Sequence, residues 1–185
     1  MLGFIQEIGP YVFDDGDLKP HPNDFSWNKE ANVLFIEAPA GVGFSYCEGD
    51  VEYCSYTDEK TADENLESLH IFFTEMFTDF AKNDLYLAGE SWAGVYVPYL
   101  ASWIFDYNEN PRNDDAFWFR LKGYMVGNGC TNYKYDTEPA YLKMGYWHGL
   151  YNTGLHDSMA KYNCSVDGAG DVYGTDISMC NKLIG

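Results

Sequence analysis

Positive charge is scarce in this sequence. Its 11 Lys and Arg stand against 29 Asp and Glu, a formal net charge of -18 at pH 7. So few cations argue against binding a nucleic-acid backbone, and the surplus of carboxylates is repelled by anionic membrane surfaces. Long apolar runs are missing too: none approaches the ~18 residues of a membrane span. Met1-Leu-Gly-Phe-Ile-Gln-Glu7 lacks the basic start and apolar core of a signal peptide. None of the five cysteines (Cys47, Cys54, Cys130, Cys164 and Cys180) forms a Cys-x-x-Cys pair, and no His/Cys cluster has zinc spacing. The glycine-containing segment from Glu37 to Tyr46 is followed by no Gly-Lys-Ser/Thr, so it is not a phosphate loop. Neither a metal nor a cofactor is expected. The acidity itself fits an ordinary solvated surface, and it is also compatible with an acidic compartment.

What remains is the composition of a globular protein, 46% hydrophobic and 18% aromatic in 185 residues, which sets the expectation of one domain over 1–185. Asp15-Gly16 is a hairpin-type turn signal, and Pro20, Pro22 and Asn23-Asp24 mark a loop. Val33 to Ile36 reads as a buried strand. Glu48 to Tyr56 is polar and loop-like. Thr61-Ala-Asp-Glu64 has the form of a capping box, followed by Leu66, Leu69, Phe73, Phe77 and Phe80 at helical spacing. Tyr107 to Asp115 reads as a charged linker, Leu121 to Val126 as a strand, Glu138 to Tyr151 and Leu155 to Tyr162 as helices, and Gly168 to Gly174 as a loop. Strands alternating with helices predict an α/β protein with a parallel sheet and helices on both faces. Cys47 with Cys54, and Cys164 with Cys180, can close short loops in an oxidising compartment. Cys130, the odd one, then pairs outside the chain or stays a buried thiol. Asn163-Cys164-Ser165 is an N-glycosylation sequon, useful only in a secreted protein.

One stretch carries chemistry. Leu85 to Ala88 is an apolar run of strand length, and Trp92 to Phe105 has apolar residues at helical spacing. Ser91 falls at the turn between them, bracketed by Gly89 and Gly94. A serine there is lifted clear of the sheet on a strained backbone, beside the first helical amides, which can hold an oxyanion. The generic pattern has glycine two residues after the serine; here that position is Ala93, small enough for close packing of helix on strand. A chance Gly-Ser turn at a strand end would look the same locally.

Gly-Glu-Ser-Trp-Ala-Gly94 resembles the Gly-Glu-Ser-Tyr-Ala-Gly motif of the serine carboxypeptidases, with Trp92 for the usual tyrosine. Glu37-Ala-Pro-Ala-Gly-Val-Gly-Phe-Ser-Tyr46, Val126-Gly-Asn-Gly129, His148-Gly-Leu150 and Gly3 to Pro10 are similar to further segments of that family, in the same order. The resemblance covers residues 1 to about 165, and 165–185 would begin a helical or loop insertion. It implies an α/β-hydrolase fold, incomplete at both ends. Ser91 would be the nucleophile and the Trp92 backbone N–H an oxyanion donor; the Trp92 ring would line the pocket before the scissile bond or simply pack. Glu90 and Glu7 would together bind the free C-terminal carboxylate of a peptide substrate. Two close carboxyls share a proton, so binding weakens as pH rises and that proton is lost. Unrelated surface positions for the two glutamates are the plain alternative.

The resemblance also marks gaps. The family's Asp and His of the triad follow later strands, and none of His21, His70, His148 and His156 matches a catalytic position. Its Gly-Gly-Pro-Gly-Cys-Ser-Ser segment and the strand before it would precede Met1, so a central strand would be missing between Val33–Ile36 and Leu85–Ala88. Family members are secreted or vacuolar/lysosomal, which implies a lost signal peptide. The expected activity is hydrolysis of the C-terminal peptide bond through an acyl-enzyme at acidic pH, with these 185 residues inactive by themselves. Alternatives are an acyltransferase using the same triad, a lipase or esterase (disfavoured by Glu90, Glu7 and Ala93-Gly94), and a non-catalytic scaffold. Oligomeric state is not legible.

Overall fold

The computed structural model describes residues 2–13, 16, 18–48, 57–111, 117–132, 136, 140–166 and 171–184. Most of the expected Glu48–Tyr56 loop, much of the Tyr107–Asp115 linker and the start of the Glu138–Tyr151 helix lie outside the described residues. The chain forms two compact units, Met1–Asp84 with Tyr99–Leu121, and Leu85–Pro98 with Lys122–Gly185.

In the first unit, Gly3–Glu7 form one wide helical turn, closed by Ile8 N–H donating to the Gly3 carbonyl (3.0 Å). Strands β1 (Tyr11–Val12) and β2 (His21–Pro22) pair antiparallel, Tyr11 opposite Pro22 and Val12 opposite His21. The ladder therefore runs into the segment read from sequence as loop; Pro22, which has no N–H, is tolerated on so short an edge. Asp15 lies outside the described residues, while Gly16 takes a positive φ of 83°. Next, the buried Asn23 side chain donates to the carbonyls of Glu7 and Gly9, both at 2.9 Å, and accepts from the Phe25 amide (2.9 Å). This bracket fixes the backbone that carries Glu7.

Val33–Ile36 is not a ladder strand, contrary to the sequence reading. Its residues alternate between half-buried and exposed, as a strand's would, but pair with no neighbour among the described residues. A strand is completed by its partner's hydrogen bonds, which a hydrophobic pattern does not supply.

Helix α1 (Asp58–Ile71) begins earlier than the capping-box reading placed it. Thr57 is the N-cap, its hydroxyl accepting from Lys60 N–H (3.2 Å), with Asp58 and Glu59 in the first turn. Thr61 is instead buried within the helix, with Ala62, Asn65, Leu66 and Leu69. The Phe stripe outlives the helix. Phe72–Met76 widen into a π-type turn, and Phe77 leaves helical geometry (φ -134°, ψ 57°), so that its ring stacks on Phe72 at 4.9 Å.

Helix α2 (Ala93–Glu109) takes in the first three residues of the Tyr107–Asp115 segment read as linker. Its second half buries Leu100, Ala101, Ile104 and Tyr107. His70 of α1 meets the Tyr107, Phe117 and Phe119 rings edge-on at 5.8, 5.8 and 6.4 Å. Asn108 pairs its side-chain amide with the Phe119 backbone, accepting from N–H (2.9 Å) and donating to C=O (2.8 Å). Arg120 donates through Nε (3.0 Å) and Nη2 (2.8 Å) to one oxygen of Asp84.

The second unit holds β3 (Leu85–Glu90) hydrogen-bonded beside β4 (Leu121–Gly127), with α2 between them in the chain. The described part of the expected Glu138–Tyr151 helix is irregular, a wide turn at Ala140–Met144 followed by a short turn at Gly145–Trp147. Helix α3 (Thr153–Lys161) starts two residues before its predicted bound because Asn152 caps it, accepting from Leu155 N–H (2.9 Å). Within the predicted Gly168–Gly174 loop, Val172–Tyr173 is strand β6, antiparallel to β5 (Ser165–Val166). Helix α4 (Ile177–Ile184) closes the unit. Cys164 and Cys180 are disulfide-bonded, as their spacing allowed, and with Met159 they centre a cluster of Leu142, Tyr151, Leu155, Tyr162 and Val172. Cys47 is disulfide-bonded too; Cys54 lies outside the described residues. Cys130 is a free, half-buried thiol.

The protein thus has mixed helix and strand content. Each sheet among the described residues has two strands. Among the described residues, no helix is long and apolar enough to cross a membrane.

Candidate active site

β3 ends at Glu90 and α2 begins at Ala93, leaving Ser91 and Trp92 to make the whole turn. Ser91 meets that demand with a positive φ of 60°, a conformation that a side chain disfavours. Its backbone is gripped on both sides. Ser91 N–H donates to the Gly127 carbonyl at the end of β4 (3.1 Å), and the Ser91 carbonyl accepts from both Gly94 (2.9 Å) and Cys130 (2.8 Å).

The glycines serve this packing. A Cβ on Gly89 would collide with the Ala93 methyl and come within 2.9 Å of Val97 Cγ2. Helix and strand are therefore too close for a larger residue at Gly89 or Ala93, which explains why alanine suffices where the generic motif has glycine. A Cβ on Gly94 would stand 2.7–2.9 Å from the backbone O, C and N of Cys130, atoms that cannot yield cheaply.

Residues 127–132 thus form a cradle under the turn, and Asp136 holds it. One carboxylate oxygen of Asp136 accepts from the amides of Thr131 (2.6 Å) and Asn132 (2.7 Å). The Asn132 amide first, then that of Thr131, lowers the Asp136 pKa below its ordinary carboxylate value. The sequence reading did not single out Asp136; its only signal is an Asp four and five residues beyond Asn132 and Thr131, the pair that follows the Gly-Asn-Gly turn and Cys130.

Glu90 is exposed at the end of β3, and a Cβ on Gly127 would lie 3.9 Å from its Cγ. Trp92 is about half exposed, at 52%. Glu7 is exposed in the first unit, where Asn23 holds its carbonyl. In the second unit, the two histidines have other partners: His148 Nδ1 lies 2.8 Å from the Met144 carbonyl, and His156 stacks on Tyr146 at 4.1 Å with Nδ1 3.2 Å from Asp157. The arrangement presents a hydroxyl on a rigid turn beside a helix start and a carboxylate.

In the first unit the Glu37–Tyr46 segment is a closed loop. Glu37 Oε2 accepts from Phe44 N–H (2.7 Å), and its carbonyl accepts from the Ser45 hydroxyl (2.5 Å). The Phe44 amide is the main reason that the Glu37 pKa lies below its usual value.

A family model described as serine carboxypeptidase matches residues 1–184. Serine carboxypeptidase-like 35 of Arabidopsis thaliana is 40% identical over 157 residues, which are 85% of this chain and 32% of the relative. Serine carboxypeptidase 24 of the same plant is 39% identical over 175 residues, 91% of this chain and 36% of the relative. The lysosomal protective protein of Mus musculus is 34% identical over 182 residues, 98% of this chain and 36% of the relative. The chain therefore spans about a third of the length of the curated relatives it matches. Among solved structures, Kex1(delta)p, a prohormone-processing carboxypeptidase from Saccharomyces cerevisiae, superposes with a TM-score of 0.64 at 23% identity, covering 100% of this chain and 40% of that one. At that identity the match speaks for the fold.

Proposed function

The chain belongs to the serine carboxypeptidase family, and on that premise we propose that it carries the nucleophile of an enzyme that hydrolyses the C-terminal peptide bond of peptides. Ser91 attacks the scissile carbonyl to form an acyl-enzyme, which water then hydrolyses. The Trp92 N–H, next in the chain and at the start of α2, is assigned as an oxyanion donor. Glu90 is assigned to the free carboxylate of the substrate, which it can bind by donating a hydrogen bond in its protonated form under acidic conditions. The same role for Glu7 rests on sequence resemblance alone. The observation that carries the reading is Ser91 at φ 60°, fixed by the amide and carbonyl contacts to Gly127 and Cys130.

The fold we infer is an α/β-hydrolase-like domain. Asp84 and Arg120, joined by an ion pair, precede β3 and β4 respectively, and Ser91 and Gly127, joined by a backbone hydrogen bond, stand at the strands' far ends. Entry meeting entry and exit meeting exit supports a parallel pair. Kinship with the lysosomal protective protein supports a lysosomal, vacuolar or secreted site of action.

Serine catalysis needs a base and an orienting carboxylate, and among the described residues of the second unit the two histidines are engaged with Met144, Tyr146 and Asp157, not with Ser91. The 185-residue chain by itself is therefore expected to release no amino acid from a peptide at mildly acidic pH. Release that disappears in Ser91→Ala would contradict this division of labour. A scaffold role would be favoured if the natural product that contains this chain were equally inert.

A further inference from the structure

Asn163-Cys164-Ser165 is the one Asn-x-Ser/Thr tripeptide in the sequence, and its surroundings say more than the motif. α3 ends in a two-bond C-terminal cap: Asn163 N–H donates to the Ala160 carbonyl (3.1 Å) and Cys164 N–H to that of Met159 (3.0 Å). Asn163 takes the left-handed position of that cap, with φ 48°, and is exposed. Among the described residues its side chain makes no hydrogen bond. The cap explains why the position favours Asn or Gly. It does not explain a hydroxyl two residues later.

The same tripeptide is locked into the fold. Cys164 is 8% exposed and disulfide-bonded to Cys180, which is 0% exposed. Ser165 pairs with Tyr173 in the β5–β6 ladder. The Thr175 amide (2.8 Å) and hydroxyl (2.9 Å) both donate to the Tyr162 carbonyl, pinning the residue before Asn163. A glycosyltransferase must take the acceptor as a pliable segment, with the Ser hydroxyl turned toward the Asn amide. A left-handed Asn followed by a buried half-cystine and a paired strand does not offer that shape. Once attached, however, a sugar on the exposed Asn163 amide projects to solvent.

We propose that Asn163 is an N-glycosylation site whose occupancy is set by closure of the Cys164–Cys180 disulfide. The acceptor is available while the two thiols are free and is withdrawn when they join. In the transfer, Asn163 Nδ2 forms a bond to the anomeric carbon of a lipid diphosphate-linked oligosaccharide. The bond from that carbon to the diphosphate oxygen breaks, the lipid diphosphate leaves, and one amide proton is lost to base. The proposal rests on the reading that the protein enters an oxidising secretory lumen.

The test is expression of the full chain behind a cleavable signal peptide in a eukaryotic cell, with a second sequon in an appended tag. Only molecules glycosylated on the tag, and hence known to have entered the lumen, are scored. Asn163 is read by enzymatic deglycosylation, which converts a glycosylated Asn to Asp. The expected result is conversion at Asn163, its loss in Ser165→Ala and in the cap-preserving Asn163→Gly, and higher occupancy in Cys180→Ser. A brief reductant pulse during synthesis of the unaltered chain should raise occupancy likewise, without relying on a variant that has to fold. Unmodified Asn163 under all of these conditions overturns the site. Occupancy indifferent to both Cys180→Ser and reductant overturns the disulfide control. Neither readout involves Ser91, so the catalytic reading stands or falls separately.

Discussion

Ser91 holds a φ of 60°, which costs a residue with a Cβ about 1–2 kcal/mol. Its three backbone hydrogen bonds, to Gly127, Gly94 and Cys130, sustain that conformation. The position is therefore one where function and stability conflict. Both Ser91→Ala and Ser91→Gly remove the hydroxyl, and only the second removes the strain. We predict that Ser91→Gly is more stable than Ser91→Ala by about 1 kcal/mol, after allowing for glycine's greater freedom in the unfolded chain. Urea denaturation of the two variants measures it, and equal midpoints would mean that the turn stores no strain. The position of the serine was legible from Gly89, Gly94 and the apolar runs around them. The residues that support it were not. Asp136 bonds backbone amides four and five residues back, and Asn23 beneath Glu7 bonds a carbonyl sixteen residues back; single side chain–backbone contacts of this kind leave no periodicity to read.

At the level of elements, caps decide boundaries. The Thr61–Glu64 pattern had the right residue types, but Thr57, one turn earlier, holds the cap and Thr61 is buried in the helix. Thr57→Ala should cost about 1 kcal/mol through the lost bond to Lys60, whereas Thr57→Ser should cost little. Chemical denaturation of the pair tests the assignment, and it fails if both substitutions are neutral. Val33–Ile36 shows the reverse case, a strand-like alternation that no ladder completes. The start of α2 and the strand content of Leu85–Glu90 and Leu121–Gly127 were readable because each rests on local spacing, and spacing allowed the Cys164–Cys180 link without fixing it.

The cradle at 127–132 is an element whose anchor titrates. The two amide donors lower the Asp136 pKa below its ordinary 3.8, so the ionised form is favoured by folding. Its stabilising contribution is complete above the unfolded value and is lost as pH falls through the lower folded value. Asp136→Asn should therefore be less stable than the unaltered chain at about pH 5, with the gap closing toward about pH 2. A constant gap over that range would mean that the carboxylate charge does not hold the cradle. Because the loss comes only in strong acid, the seat of Ser91 stays intact at the mildly acidic pH proposed for activity.

At the scale of the whole molecule, family membership was carried by short ordered motifs, and the model match over residues 1–184 agrees with them. Sheet topology was less legible, because pairing joins segments far apart in the chain. Charge adds a further constraint, since a formal net charge of -18 disfavours partnership with polyanions. The central claim is that Ser91 is the nucleophile, and a serine-reactive phosphonate applied to the natural protein that contains this chain tests it most directly. Peptide mapping should place the label on Ser91, with labelling abolished by Ser91→Ala. A label on another serine, or undiminished peptide hydrolysis by Ser91→Ala, would contradict the account.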